Sequence, residues 1–129
     1  STRDVPLGVD PDLSAKFTMI EPNLCNSMHD CSVATGDAWA STFVPKLLNS
    51  PEYRAGRTAI FITFDENDGS AGNEIPTIVI SPSVRPGVVV SSTFNHCNMQ
   101  HTTIQLLTQP PYHWAGCPGT SSMRAPFNL

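Results

Sequence analysis

The sequence carries little charge and no run of basic residues. Only 14% of its 129 residues are charged, and the formal net charge is −4 with seven Lys and Arg residues. A protein that binds a phosphate backbone normally presents a cationic face, so we expect no nucleic-acid partner. No apolar stretch approaches the roughly 20 residues of a membrane-spanning helix, so we expect no transmembrane segment.

The sequence also lacks a C-x-x-C motif, which argues against a zinc ribbon or a thioredoxin-like redox site. Its four cysteines are Cys25, Cys31, Cys97 and Cys117. An even number with local spacings favours the disulfides Cys25–Cys31 and Cys97–Cys117, which would form in an oxidising compartment. The alternative is four buried free thiols in a cytosolic protein.

Apolar, β-branched runs at 59–64, 77–81 and 88–90 predict strands. Continuous apolar runs, rather than alternating ones, are typical of strands covered on both faces, as in parallel sheets. We predict that the first two runs are adjacent, buried, parallel strands. Because helical segments lie between and after the strands, the predicted fold class is α/β, with a mainly parallel sheet flanked by helices.

Helical periodicity marks two further segments. Apolar residues recur every four positions from Trp39 to Leu47, which predicts one helical face, with Asp37 as its cap and Pro45 kinking or splitting the helix. The last predicted helix covers 99–107. A short apolar run at 17–20 is a further candidate strand, and we predict that residues 1–16 are an extended lead-in to one domain over 17–129.

Three polar clusters each follow an apolar run. They are His29-Asp30 in the first cysteine loop, Asp65-Glu66 after the apolar run at 59–64, and His96 before the last helix. Adjacent carboxylates at a strand end can bind a hard divalent cation, and histidines beside them can contact phosphate or transfer a proton. Each cluster alone has a plainer interpretation: a surface histidine, an acidic turn and a capping residue. A parallel sheet would bring all three to one edge, as a metal-assisted hydrolase requires.

Four ordered motifs and two closing ones carry a family resemblance. They are PNLCNSMHDC at 22–31, GDAW at 36–39, FITFDE at 61–66, IPTIVISP at 75–82, FNH at 94–96 and MRAPF at 123–127. In this order the sequence resembles the bacterial phosphoesterase family, which contains acid phosphatases and non-specific phospholipases C and belongs to the alkaline-phosphatase superfamily. Secreted actinobacterial members, with paired cysteines, are the most similar.

The resemblance implies roles for these residues. Asp65 and Glu66 would be ligands of a divalent metal ion, and His29, with Asp30, would line the phosphate pocket and assist the leaving group. His96 would be a further phosphate or metal contact. The implied protein is a secreted hydrolase of phosphate esters, with an alkaline-phosphatase-like partial domain as its fold.

The sequence also departs from the family pattern. Ser27 stands where members usually carry Asp, His101 stands where many carry Arg, and Glu21 replaces a small or neutral residue. The family's amino-terminal half supplies a Glu-Asn metal pair and a Ser or Thr nucleophile, neither of which has a counterpart here. We therefore expect this chain to be a carboxy-terminal half that is inactive alone, with its sheet edge covered by that amino-terminal half or by another chain.

One alternative belongs to another class of protein: a secreted, non-catalytic binding or assembly subunit derived from the same fold. A small disulfide-rich ligand-binding protein unrelated to the family is a weaker third possibility. Two histidines, His101 and His113, have no chemical context in the sequence, and we interpret them as structural or exposed.

Overall fold

A computed structural model describes residues 6–8, 10–69, 71–108, 117 and 119–129, with only the backbone of Ala71. The chain forms two compact units, Ser1–Ala55 and Gly56–Leu129. Residues 6–8 and 10–16 contain neither helix nor strand, as expected of a lead-in, and the single domain over 17–129 stays a prediction. In the described ranges, every helix is too short or too polar to cross a lipid bilayer.

The first unit is built on helix α1, Val33–Leu48, followed by the short helix α2, Pro51–Arg54. Helix α1 begins one turn earlier than predicted, because Ser32 rather than Asp37 is the cap: the Ser32 side chain accepts the Thr35 N–H. The predicted split at Pro45 was wrong, whereas a kink there stays a prediction. The helix continues through Pro45 and ends three residues later, and only the bond to the Ser41 carbonyl lacks its N–H.

The predicted apolar face of α1 is confirmed. Phe43 and Leu47 are buried, and the half-buried Trp39 stacks on Phe43 with ring centroids 4.7 Å apart. Burial of one such side chain stabilises a fold by about 1.5–3 kcal/mol, and this gain offsets the weak helix-forming tendency of the segment that contains Pro45.

The second unit contains strands β1, Ile60–Ile62, and β2, Ile78–Ile80, which pair antiparallel with Phe61 opposite Val79. A hydrogen bond of 3.0 Å between the hydroxyls of Thr63 and Thr77 continues the same register. The predicted parallel pairing of 59–64 with 77–81 was therefore wrong. The predicted burial was also wrong, because all three residues of β1 are half-buried and Ile78 in β2 is exposed.

The connection between the strands explains the antiparallel pairing. The connection contains an Asn-Asp-Gly turn signal, and its described residues, 63–69 and 71–77, contain one turn of 3-10 helix, Ala71–Asn73, and no α-helix, whereas a parallel crossover usually contains an α-helix. Residues 17–20 and 88–90, also predicted as strands, are not strands, and Val89 is 90% exposed. A mainly parallel sheet stays a prediction for the complete domain, of which this hairpin would be an antiparallel part.

The predicted last helix is confirmed as α3, His96–Leu107, and a short helix α4, Arg124–Phe127, follows it. The buried face of α3 is polar. The Asn98 side chain donates to the Ser121 carbonyl at 2.8 Å, and the fully buried Thr102 hydroxyl accepts the Met123 N–H at 2.7 Å. Hydrogen bonds, rather than apolar contacts alone, therefore dock residues 121–123 on this helix.

Replacing Thr102 with valine is expected to destabilise the protein by about 2 kcal/mol, because the buried Met123 N–H loses its acceptor. The matched control is Thr103→Val, since the Thr103 hydroxyl donates only to the carbonyl of Met99 in its own helix. That change is expected to cost less than about 0.5 kcal/mol. Urea unfolding followed by circular dichroism measures both, and equal losses would contradict this role of Thr102.

Both predicted disulfides are confirmed, and no cysteine is free. Cys25 and Cys31 lie 4.6 Å apart between Cα atoms, and Cys97 and Cys117 lie 5.8 Å apart. One disulfide lies in each unit. Each bond closes a segment that contains one of the histidines predicted to be functional or lies directly beside one.

Candidate functional site

A tight turn presents His29 and Asp30 in the first unit. The Leu24 carbonyl accepts both the His29 and the Asp30 N–H groups at 3.0 Å, and the Cys25 carbonyl accepts the Met28 N–H at 3.2 Å. The bonds from His29 to Leu24 and from Met28 to Cys25 together form the Schellman arrangement of a helix end. In that arrangement the residue at the position of Met28 adopts a left-handed conformation. Met28 does so, with φ 70°.

The His29 ring is oriented by its neighbour. Its Nδ1 lies 2.7 Å from an Asp30 carboxylate oxygen, and because a carboxylate only accepts, Nδ1 carries the hydrogen of this bond. The two side chains are 73% and 56% exposed, so their attraction adds little stability. The bond instead fixes the tautomer and the direction of an imidazole that a solute can reach.

The acidic pair Asp65-Glu66 lies just beyond β1, and both residues are exposed. Two side-chain amides order the loop that follows. The Asn73 side chain accepts the Asn67 N–H at 3.0 Å, and the Asn67 side chain accepts the Gly69 N–H at 2.9 Å. The acids thus belong to an organised turn in the connection between β1 and β2.

His96 contacts this acidic turn across 31 residues of sequence. Its Nε2 lies 2.9 Å from the backbone carbonyl oxygen of Asp65. A carbonyl oxygen only accepts, so Nε2 carries the hydrogen, and in the neutral ring Nδ1 is the basic nitrogen. The bond holds the start of α3 against the turn, and Asn95 caps the helix there by accepting the N–H groups of Cys97 and Asn98.

A divalent cation would find only part of its ligand set in the described ranges. Nowhere in them do three side chains of His, Cys, Asp or Glu come together. Asp65 and Glu66 offer carboxylate oxygens, which suit a hard cation, but such ions take six or more oxygen ligands. Further donors would have to come from water, substrate or residues outside the described part of the chain.

The structure brings together some of the predicted site residues. His96 lies against the backbone of Asp65 in the second unit, and His29 lies against Asp30 in the first. The meeting of these two pairs stays a prediction. His101 is structural, as predicted: its Nδ1 donates to the Thr120 carbonyl at 2.6 Å. His113 lies outside the described residues.

Sequence reasoning missed one feature of the first unit, a cavity of about 360 Å³ beside the turn that carries His29. Its lining combines the stacked aromatic rings of α1 with an acid, a base and two amides: Trp39, Phe43, Glu21, Lys46, Asn23 and Asn26. Asn23 and Asn26 lie in the motif at 22–31 and Trp39 in the motif at 36–39, but nothing in the sequence shows that these stretches meet around a cavity.

The sequence motifs agree with one family. The sequence profile of the phosphoesterase family matches residues 15–107, which is most of the chain, and the chain belongs to this family. Both candidate histidine positions and the acidic pair lie inside the matched range. The closing motif at 123–127 lies beyond it.

The chain is similar to two proteins that are named as phosphatases. The chain is 35% identical over 98 residues to a phosphatidylinositol-3-phosphatase of Mycobacterium tuberculosis, a match covering 76% of this chain and 32% of the relative. It is 32% identical over 71 residues to an acid phosphatase of Aspergillus fumigatus, covering 54% of this chain and 15% of the relative. The chain thus spans a third or less of these relatives. No solved structure showed significant similarity to the chain.

Proposed function

We propose that this chain is part of a phosphoric ester hydrolase and carries residues of its active site. Membership of the phosphoesterase family supports this proposal, and the names of both relatives are those of phosphatases. Those names favour a phosphate monoester as substrate, with phospholipase C-type diester hydrolysis as the alternative within the family. The two disulfides suit an oxidising compartment, so we also propose that the protein is secreted.

The observation that carries the proposal is the hydrogen bond from His96 to the Asp65 carbonyl. It brings the His96 imidazole to the backbone of the acidic pair Asp65-Glu66, 31 residues away in sequence, and phosphoester chemistry needs such residues near one another. With Nε2 donating to the backbone, His96 would act through Nδ1, either on a phosphate oxygen or as a metal ligand. A metal-bound histidine commonly donates its other ring N–H in this way.

The acidic pair would hold a divalent metal ion. Asp65 and Glu66 would each contribute carboxylate oxygens, completed by ligands from outside the described residues. Such an ion supplies charge that polarises the phosphoryl oxygens and stabilises the developing charge of the transition state. The protein's own part is to hold two adjacent carboxylates in the connection between β1 and β2. Hydrogen bonds accepted by the side chains of Asn67 and Asn73 restrict the turn there.

His29 would be the general acid that protonates the leaving-group oxygen. The Asp30 carboxylate holds the Nδ1–H, so the proton would pass through Nε2. Asp30 would also stabilise the imidazolium form in which His29 must start the reaction. The same arrangement would serve in reverse, with neutral His29 accepting a proton from water when the enzyme completes its cycle.

In the complete enzyme, His29→Ala is expected to lower kcat/KM for an alkyl phosphate by about 10²-fold, because an alkoxide is a poor leaving group without a proton. Hydrolysis of p-nitrophenyl phosphate should fall by less than about tenfold, since its phenolate leaves readily without an acid. The matched control, His101→Gln, removes a structural histidine. A loss of the same size on both substrates would contradict the role proposed for His29.

We also propose that catalysis requires protein outside this sequence, including the nucleophile, and that the chain alone is inactive. Support comes from the share of the relatives that it spans and from large apolar side chains exposed in the described ranges. These are Leu7, Phe17, Met19, Leu24, Val33, Ile78, Val89 and Leu106. The remainder of the enzyme would cover this surface and the open edges of the hairpin.

A further inference from the structure

The turn that presents His29 contains an unusual residue. In a Schellman arrangement the left-handed position is normally glycine, because a Cβ atom there meets the following carbonyl oxygen. Here it is Met28, with φ 70°. A strained conformation persists only where the surrounding structure determines it, and such residues concentrate at functional sites. The contacts of the Met28 side chain therefore need an explanation.

Those contacts fall on Gly36, a buried glycine in the first turns of α1. The Met28 side chain occupies the space where any other residue at this position would place its Cβ atom. A Cβ built on Gly36 would lie 2.4 Å from the Met28 Cγ and 2.9 Å from the Asn26 carbonyl oxygen. Real Cβ atoms do not approach so closely, so the turn fits against the helix only because Gly36 has no side chain.

We infer that Met28 and Gly36 are positioning residues that fix His29 for catalysis. The Met28 side chain seated on Gly36 holds the Met28 backbone in its left-handed conformation. That conformation directs the N–H groups of His29 and Asp30 to the Leu24 carbonyl and brings the imidazole and the carboxylate side by side. This inference rests on the function proposed for His29, and it adds that the position of the acid is set from α1.

Three substitutions distinguish the effect of the Met28–Gly36 contact from the effect of the strained backbone at Met28. Glycine accepts a left-handed conformation without strain, so Met28→Gly keeps the backbone preference and removes only the contact with Gly36. Met28→Ala removes the contact and keeps the strain. Gly36→Ala keeps the methionine and displaces it. If the contact holds the turn, all three changes move His29, with Gly36→Ala and Met28→Ala moving it most.

The test uses the complete enzyme and two substrates, an alkyl phosphate and p-nitrophenyl phosphate. Misplacement of a reacting group by about 1 Å can cost about 10²-fold, so Gly36→Ala and Met28→Ala should lower kcat/KM for the alkyl phosphate by at least about tenfold. The aryl phosphate should fall by less than about threefold, because it does not need the acid. Amide hydrogen exchange at His29 should become faster in both variants. Ser41→Ala, which removes an exposed hydroxyl that donates to the Ala38 carbonyl within the same helix as Gly36, is the control expected to change nothing.

Three results would decide against the inference. If His29→Ala is selective for the alkyl substrate and neither Gly36→Ala nor Met28→Ala is, the positioning role is wrong while the proposed function stands. If the Met28 and Gly36 variants lower both substrates equally, their role is only structural. If His29→Ala itself affects both substrates equally, the proposed acid is wrong and the inference falls with it.

Discussion

Replacing Glu66 with glutamine in the complete enzyme is expected to lower kcat for phosphate ester hydrolysis by about 10³-fold. The change removes one of two adjacent carboxylates in the connection between β1 and β2 and keeps the size of the side chain. A metal ion stabilises transition-state charge by several kcal/mol, and a factor of 10³ corresponds to about 4 kcal/mol. Isothermal titration calorimetry with Mg²⁺, Mn²⁺ or Ca²⁺ should show weaker binding in the same variant, independently of activity.

The matched control is Glu74→Gln, which neutralises an exposed acid in the same connection between the strands. It changes the net charge equally but has no proposed ligand role, so it should leave both affinity and kcat within about twofold of the wild type. Unchanged metal affinity in Glu66→Gln, or an equal loss in Glu74→Gln, would contradict the metal site at Asp65 and Glu66.

Loss of the Cys97–Cys117 disulfide is expected to be the most destabilising of these changes. In the Cys97→Ala, Cys117→Ala double variant the free energy of unfolding should fall by about 3 kcal/mol. The bond closes 20 residues, and its stabilisation grows with the length of the loop it closes. The Cys25–Cys31 disulfide closes only six residues and should contribute about 2 kcal/mol. Urea unfolding of the complete protein, followed by circular dichroism, measures both losses.

The two disulfides act as controls for each other. Loss of the Cys97–Cys117 bond should release residues 121–123 from α3, and loss of the Cys25–Cys31 bond should loosen the turn that carries His29. Amide hydrogen exchange should therefore rise in different segments in the two variants. A larger loss of stability for the shorter loop would show that loop-closure entropy does not set the order.

The sequence predicted what depends on local chemistry. Both disulfides followed from even number and nearness, and the buried face of α1 followed from apolar spacing. The last predicted helix, 99–107, was found as α3, which begins one turn earlier at His96. The strand pairing did not follow. An apolar run such as 59–64 indicated a strand, but it predicted neither the half-buried state of β1 nor the strand direction, which was decided by the polar connection 63–77.

The candidate site was predictable in its residues but not in its contacts. The carboxylates after a predicted strand and the histidine before a predicted helix can be read directly from the sequence, and both indicated metal or phosphate chemistry. The bond from His96 to a backbone carbonyl is not visible, because any residue has a carbonyl at that position. The turn that holds His29 was hidden for a similar reason, since Met28 occupies the position that glycine normally marks.

The polar docking of residues 121–123 on α3 also affects how the protein responds to temperature. Apart from Met123, this contact covers amides and hydroxyls, and exposure of polar groups lowers the heat capacity while exposure of apolar carbon raises it. Local opening at this contact therefore has a smaller heat-capacity change than the opening of an equal area of purely apolar contact, because the polar groups offset part of the effect of Met123. The stability of the docked segment would depend on temperature with less curvature than that of the apolar face of α1.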